Sequence, residues 1–551
     1  MNFDPKEYFA RPNDWFKSQL FFEGNATASF SVPSGEIKGI GRMSVPNSQS
    51  AFLEISIEEL RAAEEYDSGF GLMSFLNAEI PVQKGNALAF EPQFDQNPCE
   101  TLTLCTPEGI FFSKDIGVYG YHTVNGNTVL DLSPHDLIFE PWGARGQPTY
   151  WVAPLTNLFT RFPIAPDNLR DHPLRLKLVR EVEQGIERNE WQWKWWAANQ
   201  SNRLFSFQKD TGSFFIEPVA EHESGEQPDL LDLPQITAVA VGELKGRSLS
   251  SHKQLIQWFP SDILAPLSFG TGSEVGIPWF ETRNDRGELL TRLHVSMGHS
   301  GKTKGNPVFM IHHLREGSGL GEFVSKYLAL PSEHRRALVT PMNLFLRGTP
   351  GSGHVEENLV SVIRAFESLT REHGLTRLNL ETLLTQQNSA VVAAILSGAR
   401  SELVKLRKSN QQAMAVDQSR ILEKISSRLA NVATSETSFG LAVVELAKKY
   451  GFPDADILDV DYVPRVHGKN WASILSELRG ATIHEGHIDF RQRHDILAVF
   501  KLLRHLHDLL ARIIFKECGY VGTYHTQLKE WTNAEPVDWV KRDFDAAKLR
   551  F

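Results

Sequence analysis

The sequence predicts an α+β protein of more than one domain. A β-rich N-terminal region, residues 1–315, is expected to form sandwich- or barrel-like sheets. A connecting segment follows over 316–340, and residues 341–551 read as an all-α helical bundle. Three observations carry this. Short β-branched and aromatic runs separated by turn residues fill the first 315 positions, and from about residue 322 the apolar spacing lengthens to that of helices. The charge divides in the same place: residues 1–340 carry about −12 and residues 341–551 about +2 of the net −10.

The length of 551 residues accommodates two to four cores, and the 41% hydrophobic and 23% charged fractions are those of a folded chain rather than a disordered one. No apolar run reaches the ~18 residues that a membrane span needs. The start, Met1-Asn2-Phe3-Asp4-Pro5, lacks the basic and apolar regions of a signal peptide. Three cysteines, Cys99, Cys105 and Cys518, form no Cys-x-x-Cys pair and no disulfide framework. The expectation is a cytoplasmic protein in a reducing compartment, without cofactor or metal. The acidic first region argues against wrapping duplex nucleic acid, which needs clustered Lys and Arg, and leaves room for a local RNA site in the second.

In chain order, Ala26–Val32, Leu102–Cys105 and Thr237–Val241 read as strands. Asn125-Gly126 inside Thr123–Leu130 is a two-residue hairpin signal, because Asn-Gly supplies the positive φ of a type I′ turn. Two further hairpins are expected: Leu204–Phe207 with Phe214–Glu217, and Trp279–Arg283 with Leu289–Val295. Helical interruptions are expected around Ile57–Glu65, Leu174–Arg188 and His252–Trp258, and a division into two subdomains near residues 140–165. Glu217–Asp232 reads as an acidic exposed loop. The cluster Trp191, Trp193, Trp195 and Trp196 fits either a packed sheet face or a platform for stacking a sugar or base. A lectin-like or glycosidic role ranks low, since no paired carboxylates accompany it.

Two glycine-rich loops imitate nucleotide sites. Gly270–Gly276 has its third glycine misplaced for a dinucleotide loop. Gly348–Val355 has Walker A glycine spacing, but His354 and Val355 replace the Lys and Ser/Thr that would hold phosphate and magnesium. The adjacent His312 and His313 would point apart on a strand and make a poor metal pair.

In the C-terminal region, Leu359, Val362, Ile363, Phe366 and Leu369 form one apolar stripe, with Arg364, Glu367, Ser368 and Arg371 on its flank or beyond. Leu441–Tyr450 is a short amphipathic helix ending at Gly451, and Trp471, Ile474, Leu475 and Leu478 mark another. A long helix carries Ile496, Val499, Phe500, Leu503, Leu506, Leu510, Ile513 and Ile514 on one side. Its opposite face is expected to bear His494, Lys501, His505, Asp508 and Arg512.

The chemistry-bearing stretch is Glu477–His487, which holds Arg479 and His484 five positions apart. A histidine can take the proton from a ribose 2′-hydroxyl or protonate a departing 5′-oxygen, and a guanidinium can hold the phosphate between them. Spacing alone fits equally a surface arginine and a helix-end histidine with no joint role. On an ideal α-helix the two positions lie about 140° apart around the axis. Convergence is therefore expected to need a helix break near Gly480 or Gly486, or a second copy across a two-fold axis.

Arg479-Gly480-Ala481-Thr482-Ile483-His484 resembles the Arg-x4–6-His signature of the HEPN superfamily, set late in a helical domain. The layout, a long β-containing region ahead of a helical domain opening with Leu359–Leu369, is similar to that of ApeA-like anti-phage HEPN proteins. The resemblance implies a HEPN-like bundle and a metal-independent endoribonuclease that cuts RNA, tRNA included, in abortive-infection defence. It implies Arg479 and His484 as catalytic residues and Glu367 as an acidic partner. The two-fold solution predicts a homodimer through the helical domain, and the N-terminal region is expected to sense a foreign, phage-derived trigger or to restrain the nuclease, because an uncontrolled ribonuclease would poison its host. The alternative within the family is an inert RNA-binding or protein-interaction module. One position departs from the family pattern: the residue after the arginine is usually polar and is Gly480 here.

Overall fold

A computed structural model describes residues 20–57, 101–163, 204–218, 236–244, 252–297, 308–309, 318–375, 386–409, 438–452, 471–485, 496–528 and 534–537, with short breaks inside these ranges and single helical positions near 421–425. The Trp191–Trp196 cluster, His312-His313, His494 and the helix expected at Leu174–Arg188 lie outside the described residues, as does the stretch after Ile57. The chain divides into two units, Met1–Ala329 and Leu330–Phe551. The segment expected to connect domains, 316–340, is largely helical. Its first helix belongs to the first unit and its second to the next. No helix among the described residues is long and apolar enough to cross a membrane.

The first unit is built on one antiparallel sheet of 14 strands. In chain order these are β1 (Leu20–Val32), β2 (Gly35–Pro46), β3 (Phe52–Ile57), β4 (Thr101–Cys105), β5 (Gly109–Ser113), β6 (Ile116–Val124) and β7 (Asn127–Pro134). They continue as β8 (Asp136–Pro141), β9 (Tyr150–Thr156), β10 (Phe205–Lys209), β11 (Gly212–Pro218), β12 (Ile236–Glu243), β13 (Ile277–Arg283) and β14 (Leu289–Met297). The order is β10-β11-β12-β9-β13-β14-β8-β5-β4-β1-β2-β3-β7-β6. Among the described residues the outermost strands β10 and β6 do not pair with each other, so the hydrogen-bonded order is open-ended rather than that of a closed barrel. Strands β1–β8 occupy one half and β9–β14 the other. The crossing between them falls from Pro141 to Tyr150, and β14 pairs with β8 across it, so both halves belong to one unit.

All three expected hairpins form. Val124 pairs with Asn127, Lys209 with Gly212, and Arg283 with Leu289. Asn284 closes the third, its Oδ1 accepting from the backbone N–H groups of Arg286 and Glu288 at 2.9 Å each. Glu217, expected at the head of an exposed loop, is instead a buried residue of β11. It sits opposite Val239 in the sheet, and pairing outweighs the polarity of one side chain.

The β4–β5 hairpin alternates buried with more exposed residues, whereas β9 and β13 are buried at every position, covered on both faces. One of those faces is closed by α1 (His252–Phe259), a π-helical turn (Pro260–Leu264) and α2 (Ala265–Thr271). Trp151 and Phe214 pack there edge-on against Trp258, with centroids at 5.4 and 5.8 Å. A Cβ at Gly242 would come within 2.4 Å of the Trp151 indole, so that strand position admits only glycine. Gly270–Gly276 is the end of α2 and its left-handed cap at Gly272, not a loop opening a helix, which removes the dinucleotide reading on structural grounds as well. The helix α3 (Ser318–Leu328) completes the unit, with Leu320 and Phe323 buried near Phe309 and Phe269.

The second unit is helical: α4 (Ser332–Arg347), α5 (Val355–Glu372), α6 (Gln386–Ser409), α7 (Phe439–Lys449), α8 (Trp471–Gly480), a π-helical turn (Ala481–Glu485) and α9 (Ile496–Glu517). A small hairpin of β15 (Thr523–His525) and β16 (Ala534–Pro536) follows. The apolar stripe of α5 is fully buried, each side chain worth about 1.5–3 kcal/mol relative to exposure. It packs against α4, α7 and α9. The Walker-like glycines follow helix α4 rather than a strand, with Gly348 as its cap. Helices α5, α7 and α9 all end in Schellman caps: Gly374, Gly451 and Gly519 take positive φ, and the next residue's N–H returns to the carbonyl five positions back.

The long helix α9 departs from its sequence pattern. Ile496 is exposed, while His505, Asp508 and Arg512, expected on a solvated face, are buried. The reason is the C-terminal hairpin. Asp508 accepts from the hydroxyls of Tyr524 at 2.9 Å and Thr526 at 2.6 Å, and Arg512 donates to the Val537 carbonyl at 3.1 Å. A buried polar face thus finds partners that only the folded chain supplies.

Candidate functional site

The site lies where α5 meets α8. Ile474, Leu475 and Leu478 bury one side of α8, and the backbone N–H of Gly440 donates to Ser476 Oγ at 2.9 Å, fastening the start of α7 to α8. With that face fixed, Arg479 emerges at the rim beside α5. Its Nε donates to Glu367 Oε1 at 2.6 Å, with the two side chains 35% and 23% exposed. The guanidinium also lies 5.9 Å from the Phe439 ring centroid at the head of α7. Its terminal amino groups make no hydrogen bond among the described residues. Glu367 and Arg479, 112 positions apart, are thus brought into one ion pair.

The chain does not break at Gly480. It passes from α-helix directly into the π-helical turn Ala481–Glu485, which contains position 484. Thr482 steadies this turn, its hydroxyl donating to the Leu478 carbonyl at 2.8 Å. A π turn bonds i to i+5, so residues five apart come close to one above the other instead of about 140° apart. Widening this segment therefore carries position 484 back towards the side of position 479; Gly486, the other position where a break was expected, lies outside the described residues. The His484 side chain lies outside the described residues. A Cβ on Gly480 would meet nothing within 4 Å, so that glycine is not needed for close approach and leaves space open beside Arg479.

A second polar cluster, absent from the sequence reading, gathers where α4 begins and α5, α7 and α9 end. Glu517 of α9, 3% exposed, accepts from His334 Nε2 at 2.8 Å, from His373 Nε2 and from the Tyr450 hydroxyl. The Lys449 ammonium donates to His373 Nδ1 at 2.7 Å, which leaves the imidazole proton on Nε2, facing Glu517. Burial pushes the Glu517 carboxyl up, but the donors His373, Tyr450 and His334 outweigh it and hold the group below its ordinary value. Burial, with Glu517 beside it, raises the Tyr450 hydroxyl. Each donor comes from a different helix or helix end, scattered over 183 positions, so no local motif could have announced the cluster. Among the described residues no group of three or more His, Cys, Asp or Glu side chains is placed to hold a metal ion.

No family model matches the chain, and neither a curated protein nor a solved structure is similar to it.

Proposed function

We propose that the second unit is a metal-independent endoribonuclease of HEPN type, acting in anti-phage defence by abortive infection, with RNA, tRNA included, as substrate. The observation that carries this reading is the Glu367–Arg479 pair beside a π turn that contains position 484. Glu367 takes the Nε edge of the guanidinium and sets its plane, leaving the two terminal nitrogens to receive a phosphate bidentately. His484 acts as general base on the ribose 2′-hydroxyl. The 2′-oxygen attacks phosphorus, the bond to the 5′-oxygen breaks, and that oxygen leaves with a proton. The products are a 2′,3′-cyclic phosphate and a 5′-hydroxyl. Arg479 neutralises the charge that builds on the non-bridging oxygens.

One histidine cannot be base and acid at the same instant. A homodimer through the helical unit, bringing two copies of the motif to one cleft, supplies the second. The β-rich unit is assigned to sensing a phage-derived trigger, because an unrestrained ribonuclease would poison its host.

The experiment is cleavage of total RNA and of tRNA by the purified full chain, with and without phage lysate, beside Arg479→Ala and His484→Ala and in the presence of EDTA. The reading requires cleavage by the wild type that survives EDTA, leaves cyclic phosphate ends and is lost in both variants. Equal inertness of all three proteins under every condition defeats it. The second reading, an inert RNA-binding or interaction module, draws on the Glu367–Arg479 pair as a purely structural tie and on Gly480, where the family pattern has a polar group. RNA binding without cleavage would favour it.

A further inference from the structure

Helix α5 presents more cation at the candidate site than Arg479 alone. Arg364 and Arg371 are both exposed on it, and among the described residues neither takes part in an ion pair or a side-chain hydrogen bond. Seven positions apart on an α-helix, they fall within about 20° of one line and about 10.5 Å from each other along the axis. Glu367 lies between them, three positions after Arg364 and four before Arg371, and it holds the Arg479 guanidinium at 2.6 Å. Three guanidinium groups therefore follow one another along the rim of α5, with Arg479 in the middle. The buried stripe on the other side of α5 fixes this orientation, since turning the arginines inward would turn Leu359, Val362, Ile363, Phe366 and Leu369 outward.

We infer that this row is a phosphate track for single-stranded RNA, with Arg364 and Arg371 binding the backbone on either side of the phosphate held by Arg479. This rests on the ribonuclease reading and assigns that site its substrate-positioning residues. At a rise of about 3.4 Å per nucleotide, 10.5 Å spans roughly three steps and so about four phosphates, enough for each of the three arginines to reach one. Two exposed arginines without partners among the described residues, each able to grip a phosphate, favour a polyanion over an apolar or neutral partner. Attack by a 2′-hydroxyl in line with the departing 5′-oxygen needs a backbone free of the A-form helix, which selects single strands over duplex RNA. Exposed Glu357, one heptad before Arg364, repels phosphate and bounds the track at that end, and exposed Glu372 lies off the line of the row.

The test measures binding of a fluorescein-labelled single-stranded RNA dodecamer to the full chain carrying His484→Ala, which keeps the probe intact, as a function of salt. Arg364→Ala and Arg371→Ala are added singly and together. Each is expected to weaken binding several-fold at 0.1 M salt and to reduce the slope of log affinity against log salt by about 0.7, the double variant by about 1.4. Binding with an unchanged slope in the double variant overturns the track while leaving the ribonuclease reading intact, provided the wild type cleaves. Displacement of the RNA by polyglutamate at equal charge concentration overturns it in favour of an acidic protein partner. Absence of RNA binding overturns it too, and the wild-type cleavage assay then decides the ribonuclease reading separately. Reduced slopes in a chain that never cleaves keep the track and remove the nuclease.

Discussion

Two glutamate–arginine groups among the described residues contrast in their surroundings. In the sheet, Glu281 of β13 pairs with Arg283 at 2.7 Å and with Arg292 of β14 at 3.5 Å, all three side chains at most 3% exposed. Arg292 also lies 3.8 Å over the Trp279 ring. Burial lowers the Arg292 guanidinium to about 9, partly offset by Glu281, so it remains charged at neutral pH. In the helical unit, Glu367 and Arg479 meet at 2.6 Å but stay about a quarter to a third exposed. The first group is enclosed, and its opposite charges meet one another inside the protein. Removing its carboxylate takes the paired charge from two buried cations, whereas the second pair is partly open to solvent and keeps guanidinium nitrogens available to a ligand. The same chemistry is structural in one place and receptive in the other, and solvent access makes the difference.

Substitutions can break or sharpen this contrast. The largest effect is expected for Glu281→Ala, which should cost about 3–5 kcal/mol by leaving Arg283 and Arg292 buried without their carboxylate. Chemical denaturation of the full chain checks this, and a loss under 1 kcal/mol would dissolve the contrast. Next comes Arg479→Ala, expected to lower cleavage by about 10²–10³-fold while changing stability by less than about 1 kcal/mol. A comparable fall in melting temperature would make Arg479 as structural as Arg292. Glu367→Gln keeps an acceptor for Arg479 Nε but loses the charge, and should reduce cleavage about ten-fold through looser positioning. An unchanged rate would leave Glu367 without a role in orienting the guanidinium.

The pH dependence follows from two buried groups of α9. His505 is held neutral, down to about 3, by burial and by Arg512. An unfolded histidine takes up a proton near pH 6.5, so stability should decline as pH falls from about 6.5 towards 3. Glu517 is lowered below its ordinary value of 4.5. Its contribution is present above pH 4.5 and is lost as pH falls through the folded value. Denaturation midpoints from pH 7 to 3 should fall less steeply below 4.5 in Glu517→Gln than in the wild type, and an unchanged curve there would show that the carboxylate does not hold α9 to its neighbours. The smallest effect is expected at Gly480. With open space around its Cβ position, Gly480→Asn should shift stability by no more than about 0.5 kcal/mol and leave cleavage undiminished. A severe loss would mean that the π turn depends on glycine after all.

Much of the fold was legible because its signals are local. Asn125-Gly126, Asp210-Thr211-Gly212 and Asn284-Asp285-Arg286-Gly287 each announce a hairpin by backbone preference alone, and the α5 stripe announces its buried face by period. The single 14-stranded sheet was not legible, because which strand lies beside which is a matter of pairing over long separations. Glu217, His505, Asp508 and Arg512 were placed in solvent for a related reason. Their burial depends on partners such as Val239, Tyr524, Thr526 and Val537 that no local window contains.

At the candidate site the division is the same. The sequence by itself determined that Arg479 and His484 stand five positions apart at the end of an amphipathic helix, and that Glu367, Arg364 and Arg371 flank the stripe of an earlier one. Residue type and period suffice for that. Only the tertiary structure decided that Glu367 meets Arg479, that the helix widens into a π turn where a break was expected, and that Glu517 gathers His334, His373 and Tyr450. Those outcomes depend on how helices from distant parts of the chain pack, and packing is settled by the shared core rather than by any one segment.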